Sequence, residues 1–473
     1  SVKFPEWLPD RDEFENPGLV ECLNVIGDTY YRPIYSLEPQ GTGMTAYARG
    51  ATSLKDQDSV SYTFGGDATK LYKYTAGNWV AINTGYATTV ENVWNFAEFG
   101  TICVATNKDD VIQKLNAGTD TVFSALAGSP PKASHLAVVG DFLVCANVDS
   151  TSNKVQWSGI NNIEQWTAGV EESGSQILPE GGAIRAVTSG EFGLIFQDRY
   201  ITRMNYQGPP LNFSFDVIEN NRGTIDGGSV VQNGIYTYFI SHNGFYVTDG
   251  TQSQPISTEK VDSYFFSKLS LTFSYKITSV VDPVNKTITW SYVGLDSTDD
   301  KPNWLIIYNY ETQRWSEASV QNEIIFNGFS NASTLEELDA LYPDLDAMTI
   351  SLDSRIFKGG AQSTYAVDVN HKLATFTGPA LPARIKTGEF PLSPGQKSVL
   401  TQVWPQIDGN ITVTISSRAN YQSTATPSGA IAVNSLGFAP FTNNGRYHSF
   451  QFDFDNWTKA SGFEFNSEAS GVY

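Results

Sequence analysis

The chain has 473 residues and a mass of 51.9 kDa, which is enough for two or three domains with large buried cores. Hydrophobic residues make up 40% of it, charged residues 17% and aromatic residues 13%, and these values exclude a disordered chain and a long helical rod. Its 30 basic and 50 acidic residues give a net charge of −20, which argues against tight nonspecific binding to nucleic-acid phosphates.

The first 43 residues differ from the rest of the chain because they show little hydrophobic periodicity. Pro5, Pro9, Pro17 and Pro33 interrupt this segment. We therefore predict an extended arm over residues 1–43 that lies across a neighbouring copy of the chain. The segment shows no apolar leader, and no long apolar run follows it, so we expect a protein that is made in the cytoplasm and has no membrane partner.

One unit recurs along the middle of the chain: an apolar strand, a tight turn, a second apolar strand and a third strand with aromatic residues. It occurs in VWNFAEFGTICVAT, HLAVVGDFLVCANV, IRAVTSGEFGLIFQ, SVVQNGIYTYFIS and ITSVVDPVNKTITWSYVG. The turn glycines Gly100, Gly140, Gly190 and Gly234 are 40, 50 and 44 residues apart, and Asn285 follows 51 residues later. Repeats of this length and composition are typical of the blades of a β-propeller.

Two weaker units flank these repeats. They are YTFGGDATKLYKYTAGNWVAIN near the start and RIFKGGAQSTYAVDV near the end. The sequence thus predicts an all-β protein whose residues 44–378 form a β-propeller of about six or seven blades. A stack of β-sandwiches is the structural alternative, although sandwiches rarely repeat one three-strand unit.

One helix is predicted within this region, as an insertion over residues 333–346. Ser333 and Glu336 have the spacing of a capping box, and Leu335, Leu338 and Leu341 recur at near-helical spacing. We expect the helix to pack on a blade. Asp344 and Asp346 follow it without the glycine and glutamate of an EF-hand loop, so no calcium site is predicted.

The composition changes again after residue 378. Prolines mark the boundary, ITVTISS alternates like a strand, and aromatic residues recur at near-alternate positions at Tyr447, Phe450, Phe452 and Phe454. We predict that residues 379–473 form a C-terminal antiparallel β-sandwich.

The sequence contains no motif that indicates catalysis. A nucleophile elbow, a zinc-protease helix, a phosphate-binding loop and a dinucleotide fingerprint are all missing. The histidines stand apart from one another, without ligand spacing, at His135, His242, His371 and His448. We therefore predict no catalytic residues, no metal ligands and no cofactor, and we expect that the protein is not an enzyme.

Cysteine and tryptophan residues are interpreted as structural. Cys22, Cys103 and Cys145 are few and far apart, so no disulfide framework is predicted, and Cys103 and Cys145 are expected to be buried thiols. Five tryptophans could stack on sugars, but we expect most of them to pack between blades. They are Trp157, Trp166, Trp290, Trp304 and Trp315.

Four segments, taken in their order, give the chain a family resemblance. They are KVQWSGINNIEQWTAG, DRYITRMNYQG, HNGFYVTDGTQSQPIS with the following VDSYF, and GRYHSFQFDFDNWTKASGFEF. Together they resemble the tail nozzle, or tail hub, proteins of short-tailed bacteriophages. The resemblance covers about residues 130–270 and the C-terminal 30 or so residues, and the insertion around Leu335 departs from it.

This resemblance implies a structural virion protein with a β-propeller, assembled as a homo-oligomeric ring of six copies in the phage tail. Its implied partners are the head-to-tail adaptor, tail fibres, tailspikes or a tail needle, and the viral DNA that passes through the channel during ejection without specific binding. The resemblance supplies no catalytic residues. A carbohydrate-binding or glycan-degrading propeller and an adhesin for a host receptor are the alternatives.

Overall fold

A computed structural model describes residues 1–329, 362–393 and 395–471. The described residues form an all-β protein with one α-helix, α1 (Asp262–Lys268). None of the helices in this part of the chain is long and apolar enough to span a membrane. The predicted helix over residues 333–346 lies outside the described residues.

The N-terminal segment contributes five strands. They are β1 (Val2–Lys3), β2 (Leu19–Leu23), β3 (Val25–Gly27), β4 (Tyr31–Pro33) and β5 (Tyr35–Gln40).

The middle of the chain forms antiparallel sheets of four strands, each with its strands in chain order. The first three sheets are β6 (Gly50–Lys55), β7 (Ser61–Gly66), β8 (Lys70–Thr75) and β9 (Asn78–Thr84); β10 (Asn95–Phe99), β11 (Ile102–Thr106), β12 (Gln113–Asn116) and β13 (Ser124–Ala125); and β14 (Ala133–Val139), β15 (Phe142–Val148), β16 (Thr151–Trp157) and β17 (Gly174–Ile177). The next two are β18 (Ile184–Val187), β19 (Phe192–Gln197), β20 (Ile201–Gly208) and β21 (Asn212–Glu219); and β22 (Val231–Asn233), β23 (Tyr236–Ser241), β24 (Gly244–Thr248) and β25 (Ser253–Pro255).

Two more four-stranded units follow α1. One consists of β26 (Thr278–Asp282), β27 (Thr287–Tyr292), β28 (Trp304–Asn309) and β29 (Arg314–Ser319). The other consists of β30 (Ile324–Phe329), β31 (Gln362–Val367) and β32 (Leu373–Ala380), with β5 from the N-terminal segment as its fourth strand.

The first strands of these units contact each other in a closed circle. β6 contacts β10, then the contacts pass through β14 and β18 to the short 3₁₀ turn Gly227–Ser229 before β22, on to β26 and β30, and back to β6. A circle of small antiparallel sheets around a common centre is the arrangement of a β-propeller. The predicted propeller fold is therefore confirmed at this level.

The repeat pattern in the sequence corresponds to the hairpin between the first and second strands of a sheet. Gly100 and Gly140 lie in such turns with φ of 61° and 56°, a left-handed conformation that glycine adopts without steric cost. Side chains from the buried strands then fill the space between sheets. Trp157 of β16, for example, packs its ring 5.1 Å from that of Phe213 on β21 of the next sheet.

The remaining strands follow the propeller. They are β33 (Ala383–Thr387), β34 (Phe390–Pro391), β35 (Lys397–Ile407), β36 (Asn410–Arg418), β37 (Thr426–Pro427), β38 (Ile431–Ala432), β39 (Ala439–Gly445), β40 (Tyr447–Asp455) and β41 (Ala460–Gly471).

These strands form two sheets that face each other. One has the order β3-β4-β41-β35-β39, with β1 also on β41. The other continues the propeller unit β26–β29 through β2 into β33, β40, β36 and β37, with β34 on β40 and β38 on β36. Phe463 of the first sheet lies 4.8 Å from Phe450 and 5.1 Å from Phe452 of the second, ring centre to ring centre.

The expectation of a separate arm over residues 1–43 is wrong. β1, β3 and β4 belong to one of the two C-terminal sheets, β2 links β29 to β33, and β5 pairs with β32. The prolines do not prevent this pairing, because Pro5, Pro9 and Pro17 lie outside the strands and Pro33 is the last residue of β4, where a backbone N–H donor can be missing. The N-terminal segment therefore contributes strands to the sheets of its own chain.

A buried carboxylate joins the first and last sheets of the propeller circle. Glu323 is fully buried just before β30, and its Oε2 accepts a hydrogen bond of 2.8 Å from the backbone N–H of Ala48, just before β6. Its Oε1 lies 3.0 Å from Lys301 Nζ and 2.8 Å from His371 Nδ1. The carboxylate is thus held from three sides at the point where the circle closes.

Replacing Glu323 tests how much its carboxylate contributes to the stability of the fold. Glu323→Gln should lower the free energy of unfolding by about 3 kcal/mol, because Lys301 loses its buried counter-charge. Chemical unfolding measures the loss. Glu311→Gln is the matched control, since Glu311 pairs with Lys286 at the exposed surface and its loss should cost about 0.5 kcal/mol or less. Equal effects for the two variants would contradict the role of Glu323.

Trp7 tests whether the N-terminal segment is part of the fold. The side chain is fully buried, its Nε1 donates to the Val20 carbonyl at 3.2 Å, and its ring lies 5.1 Å from that of Tyr264. Trp7→Ala should therefore cost about 3–5 kcal/mol in the free energy of unfolding. Leu436→Ala, at a 77% exposed position, should change it by about 0.5 kcal/mol or less. A free arm would instead make the Trp7 variant as stable as the control.

Candidate functional site

A cavity of about 670 Å³ lies at the centre of the propeller circle. Its wall is built mainly from the beginnings of the first strands and the segments that lead into them, and every four-stranded unit contributes residues. Lys108, which follows β11, and Asn147, near the end of β15, also line it. A volume of this size suits a small-molecule ligand.

The charge of this wall is opposite to that of the whole chain. Four basic residues and two acidic residues line the cavity, together with one histidine, in a chain with a net charge of −20. The basic residues are Arg49, Lys108, Arg185 and Lys276, the acidic residues are Glu91 and Asp226, and the histidine is His135.

Arg49 lies directly before β6 and holds the loop that leads to β10. Its Nη1 donates to the backbone carbonyl of Thr88 at 2.9 Å and to that of Thr89. Its own carbonyl accepts a 2.9 Å hydrogen bond from the backbone N–H of Trp94. Arg49 is thus fixed at the cavity wall by neutral carbonyl groups.

The two lysines of the wall are also bonded to uncharged oxygens. Lys108 Nζ donates to the backbone carbonyl of Asn147 at 2.6 Å and to its Oδ1 at 3.0 Å. Lys276 Nζ donates to the backbone carbonyl of Asp300 and lies 5.0 Å from the centre of the Tyr47 ring. Burial lowers the pKa of both lysines, more strongly than the nearby carboxylates raise it.

His135 of β14 and Asp226, which precedes the 3₁₀ turn Gly227–Ser229, lie on the two sides of the β18 strand that carries Arg185. Burial, together with the positive charges of Arg185 and Lys108, lowers the pKa of His135 to about 4. Burial raises the pKa of Asp226 to about 6, although its carboxylate accepts a 3.0 Å hydrogen bond from the Gly228 backbone N–H. His135 is therefore neutral at pH 7.

This wall can attract an anion, because its basic residues outnumber its acidic residues. No cluster of three or more His, Cys, Asp or Glu side chains that could hold a metal ion occurs among the described residues. Arg185 is paired with Asp198 at 2.7 Å, whereas Arg49, Lys108 and Lys276 form no ion pair within the part of the chain that the structure describes. Cations that form no direct ion pair are therefore the chemical feature of this site.

The other three histidines have structural surroundings. His448 is fully buried and lies 3.0 Å from Ser398 Oγ and 2.9 Å from Ser417 Oγ, while His371 contacts Glu323. His242 Nε2 lies 3.0 Å from the carbonyl of Asp198. The histidines are far apart in the sequence, as noted above. The contact of His371 with the buried Glu323 carboxylate could not be predicted from the sequence.

The three cysteines and most of the five tryptophans named above are buried in the protein interior. Cys22, Cys103 and Cys145 are free, buried thiols, and burial raises the pKa of each. Four of the five tryptophans considered for sugar stacking are buried, namely Trp157, Trp166, Trp290 and Trp315. The fifth, Trp304, has Lys268 Nζ over its ring at 3.2 Å and donates to Asp296 at 2.9 Å.

The sequence analysis missed the cationic residues of the cavity. Arg49, Lys108, Arg185 and Lys276 are far apart in the chain and form no motif. The only available signal was position within the repeat, because Arg49, Arg185 and Lys276 each lie at or just before the first strand of a sheet. Such a signal becomes useful only once the circular arrangement is known.

No family model and no curated protein matches the chain. Among solved structures, the extracellular domain of a protein described as a one-component system in B. thetaiotaomicron has 10% identity and a TM-score of 0.44, covering 83% of this chain and 48% of that one. The chain thus spans about half the length of that relative. NirN in complex with DHE has 8% identity and a TM-score of 0.38 over 87% and 76% of the two chains. YCF48 bound to D1 peptide has 10% identity and a TM-score of 0.35 over 60% and 86%.

These likenesses carry no argument about function, because the identities and TM-scores are low. The propeller arrangement instead rests on the strand pairing and strand contacts of this chain.

Asp226 provides a test of the electrostatics of the cavity wall. Its folded-state pKa of about 6 lies above the ordinary value of 3.8, so its ionisation destabilises the fold. Asp226→Asn should nearly match the wild type in stability near pH 4 and exceed it increasingly as the pH rises from 4 to 6, and the difference should level off above pH 6. On that plateau we expect a difference on the order of 1–2 kcal/mol, allowing for water in the cavity.

Chemical unfolding of both proteins at several pH values measures this difference. Asp249→Asn is a control of opposite sign, because hydrogen bonds from Thr251 lower the pKa of Asp249. That variant should be less stable than the wild type near neutral pH and approach it as the pH falls below 4. If Asp226→Asn shows the same pH dependence as Asp249→Asn, the assignment for Asp226 is wrong.

Proposed function

We propose that the chain is a structural subunit of the tail nozzle of a short-tailed bacteriophage, located in the virion tail and not an enzyme. The observation that carries the proposal is the order of the four sequence segments that resemble this family. The segments around Trp157, Tyr206 and Phe245 belong to three consecutive sheets of the propeller, and the last segment forms β40 and β41.

We also propose a finer description of the architecture. The seven four-stranded units are the blades of one propeller, and β5 closes the last blade from the N-terminal side. The two facing sheets formed by the ends of the chain are the predicted β-sandwich, with β1–β4 added to the C-terminal strands. The propeller and the sandwich are then defined by which strands pair, because each of them includes strands from both the N-terminal segment and later parts of the chain.

The connection between these two parts suits a subunit that bears load. Leu23 of β2 pairs in parallel with Glu317 of β29, so the sheet continues from the propeller into the sandwich. The Glu317 carboxylate is buried and bonded to Lys268 Nζ at 2.8 Å and to the Tyr264 hydroxyl at 2.6 Å. A continuous sheet with a bonded charge at the joint resists hinge motion, as a ring around pressurised DNA requires.

The net charge fits a channel that DNA crosses without binding. Six copies at −20 each would give a ring with a charge of −120. Acidic side chains on the channel wall repel phosphates, so no tight contact would slow the DNA during ejection. The adaptor above the ring and the fibres or needle below it are the partners that this role implies.

Imaging tests the proposal. Virions labelled with an antibody to this chain should show the label at the tail, and electron microscopy of the labelled tails should show a ring with a central passage. The proposal would be overturned if the antibody did not label virions and the purified protein remained monomeric. The same preparation should release no sugar from a glycan panel; release of reducing ends would favour a glycan-degrading propeller.

The carbohydrate-binding alternative was suggested by five tryptophans that could stack on sugars, and these side chains are not free to do so. The tryptophans that could have stacked on sugars are buried between strands or covered by Lys268. No specific feature of the described residues favours the adhesin alternative, so we do not propose it.

A further inference from the structure

The strongest feature that the nozzle role leaves unexplained is the cationic wall of the central cavity. A structural propeller has no need for positive charge at its centre, since apolar side chains could fill it. Arg49, Lys108 and Lys276 are half-buried and form no ion pair among the described residues, and their partial desolvation costs free energy that a bound anion would offset. This cost makes the cavity a candidate binding site.

The cations form two groups on the wall. Lys108 donates to the Asn147 carbonyl at 2.6 Å, and Asn147 Nδ2 donates to the carbonyl of Ile184 at 3.3 Å, so Lys108 lies beside the strand start that carries Arg185. Arg49 acts electrostatically on Tyr47 and Tyr275, and Lys276 lies 5.0 Å and 5.9 Å from the centres of the same two rings. A cavity with two cationic groups matches a ligand that carries more than one negative charge.

The hydrogen-bonding capacity of these cations is only partly used by the protein. Lys108 makes two bonds and Lys276 one, out of three N–H donors each, and all the acceptors are neutral oxygens. Asp109, Asp149, Asp299 and Asp300 lie in the neighbourhood and offset some of the charge. None of them forms an ion pair with these lysines among the described residues, so donors are left for a ligand.

We propose that the central cavity binds a small polyanion with phosphate or carboxylate groups, held by Lys108 and Arg185 on one side and by Arg49 and Lys276 on the other. Charge-assisted hydrogen bonds from lysine and arginine are the usual means of holding such groups. The volume of about 670 Å³ admits a ligand of ordinary metabolite size. Glu91 and Asp226 oppose binding and limit the affinity.

Calorimetry with inorganic pyrophosphate as the probe tests this proposal at constant ionic strength. The wild-type protein should bind one pyrophosphate per chain. The double variant Lys108→Gln with Lys276→Gln should bind it about tenfold or more weakly, because two charge-assisted contacts are lost. The matched control, Lys3→Gln with Lys154→Gln, removes the same charge outside the cavity and should change the affinity less than about twofold.

A second variant should strengthen binding, so that a folding defect cannot imitate the result. Glu91 is exposed at the cavity mouth, and Glu91→Gln should tighten pyrophosphate binding about two- to threefold by removing a repelling charge. Glu98 is also exposed and lies seven residues further along the chain, outside the cavity. Glu98→Gln should therefore leave the affinity for pyrophosphate unchanged. No binding at millimolar pyrophosphate, or equal effects of cavity and control variants, would overturn the proposal.

Discussion

The pairing of β5 with β32 is the constraint on which the rest of the structure depends. The last sheet of the propeller circle has four strands only because β5 completes it, and β5 comes from residues 35–40, more than 330 residues before its partner. Such a distant contact costs loop-closure entropy, and contacts of this kind slow folding. Once it forms, it fixes the position of β1–β4 as well, since these strands precede it directly in the chain. The C-terminal sheets therefore depend on the same closure as the propeller.

A buried carboxylate lies at each of two junctions: the contact between the first and last propeller sheets, and the contact between the propeller and β2. We call these junctions the seams. Glu323 lies where the first and last sheets meet, and Glu317 lies where the propeller joins the N-terminal strand β2. Each is bonded to a lysine from another segment, Lys301 and Lys268 respectively. A buried charge tolerates only arrangements that satisfy it, so misaligned seams are penalised more than they would be by apolar contacts alone. Both carboxylates therefore favour the native alignment of the segments that they join.

The local features of the fold could be predicted from the sequence, and the distant ones could not. Turn glycines such as Gly100 and Gly140, with apolar strands on both sides, identified the repeats because a hairpin is a short-range structure. The N-terminal strands were mistaken for an arm because they lack alternation: a strand that lies between sheets, or at an edge, need not have one polar face. The cavity residues were missed for a related reason, since Arg49 and Arg185 come together only when the circle has closed.

The size of the central cavity decides which opening DNA could use in a ring of such subunits. A cavity of about 670 Å³ holds a small molecule and not a double helix, so the centre of the propeller is no passage for the genome. In the proposed ring, the passage for DNA would therefore have to lie between subunits. The cationic centre and the acidic exterior can then serve separate purposes, because charges more than about 10 Å apart are largely screened at physiological salt. An anion in the cavity would neutralise the centre without changing the potential that DNA meets.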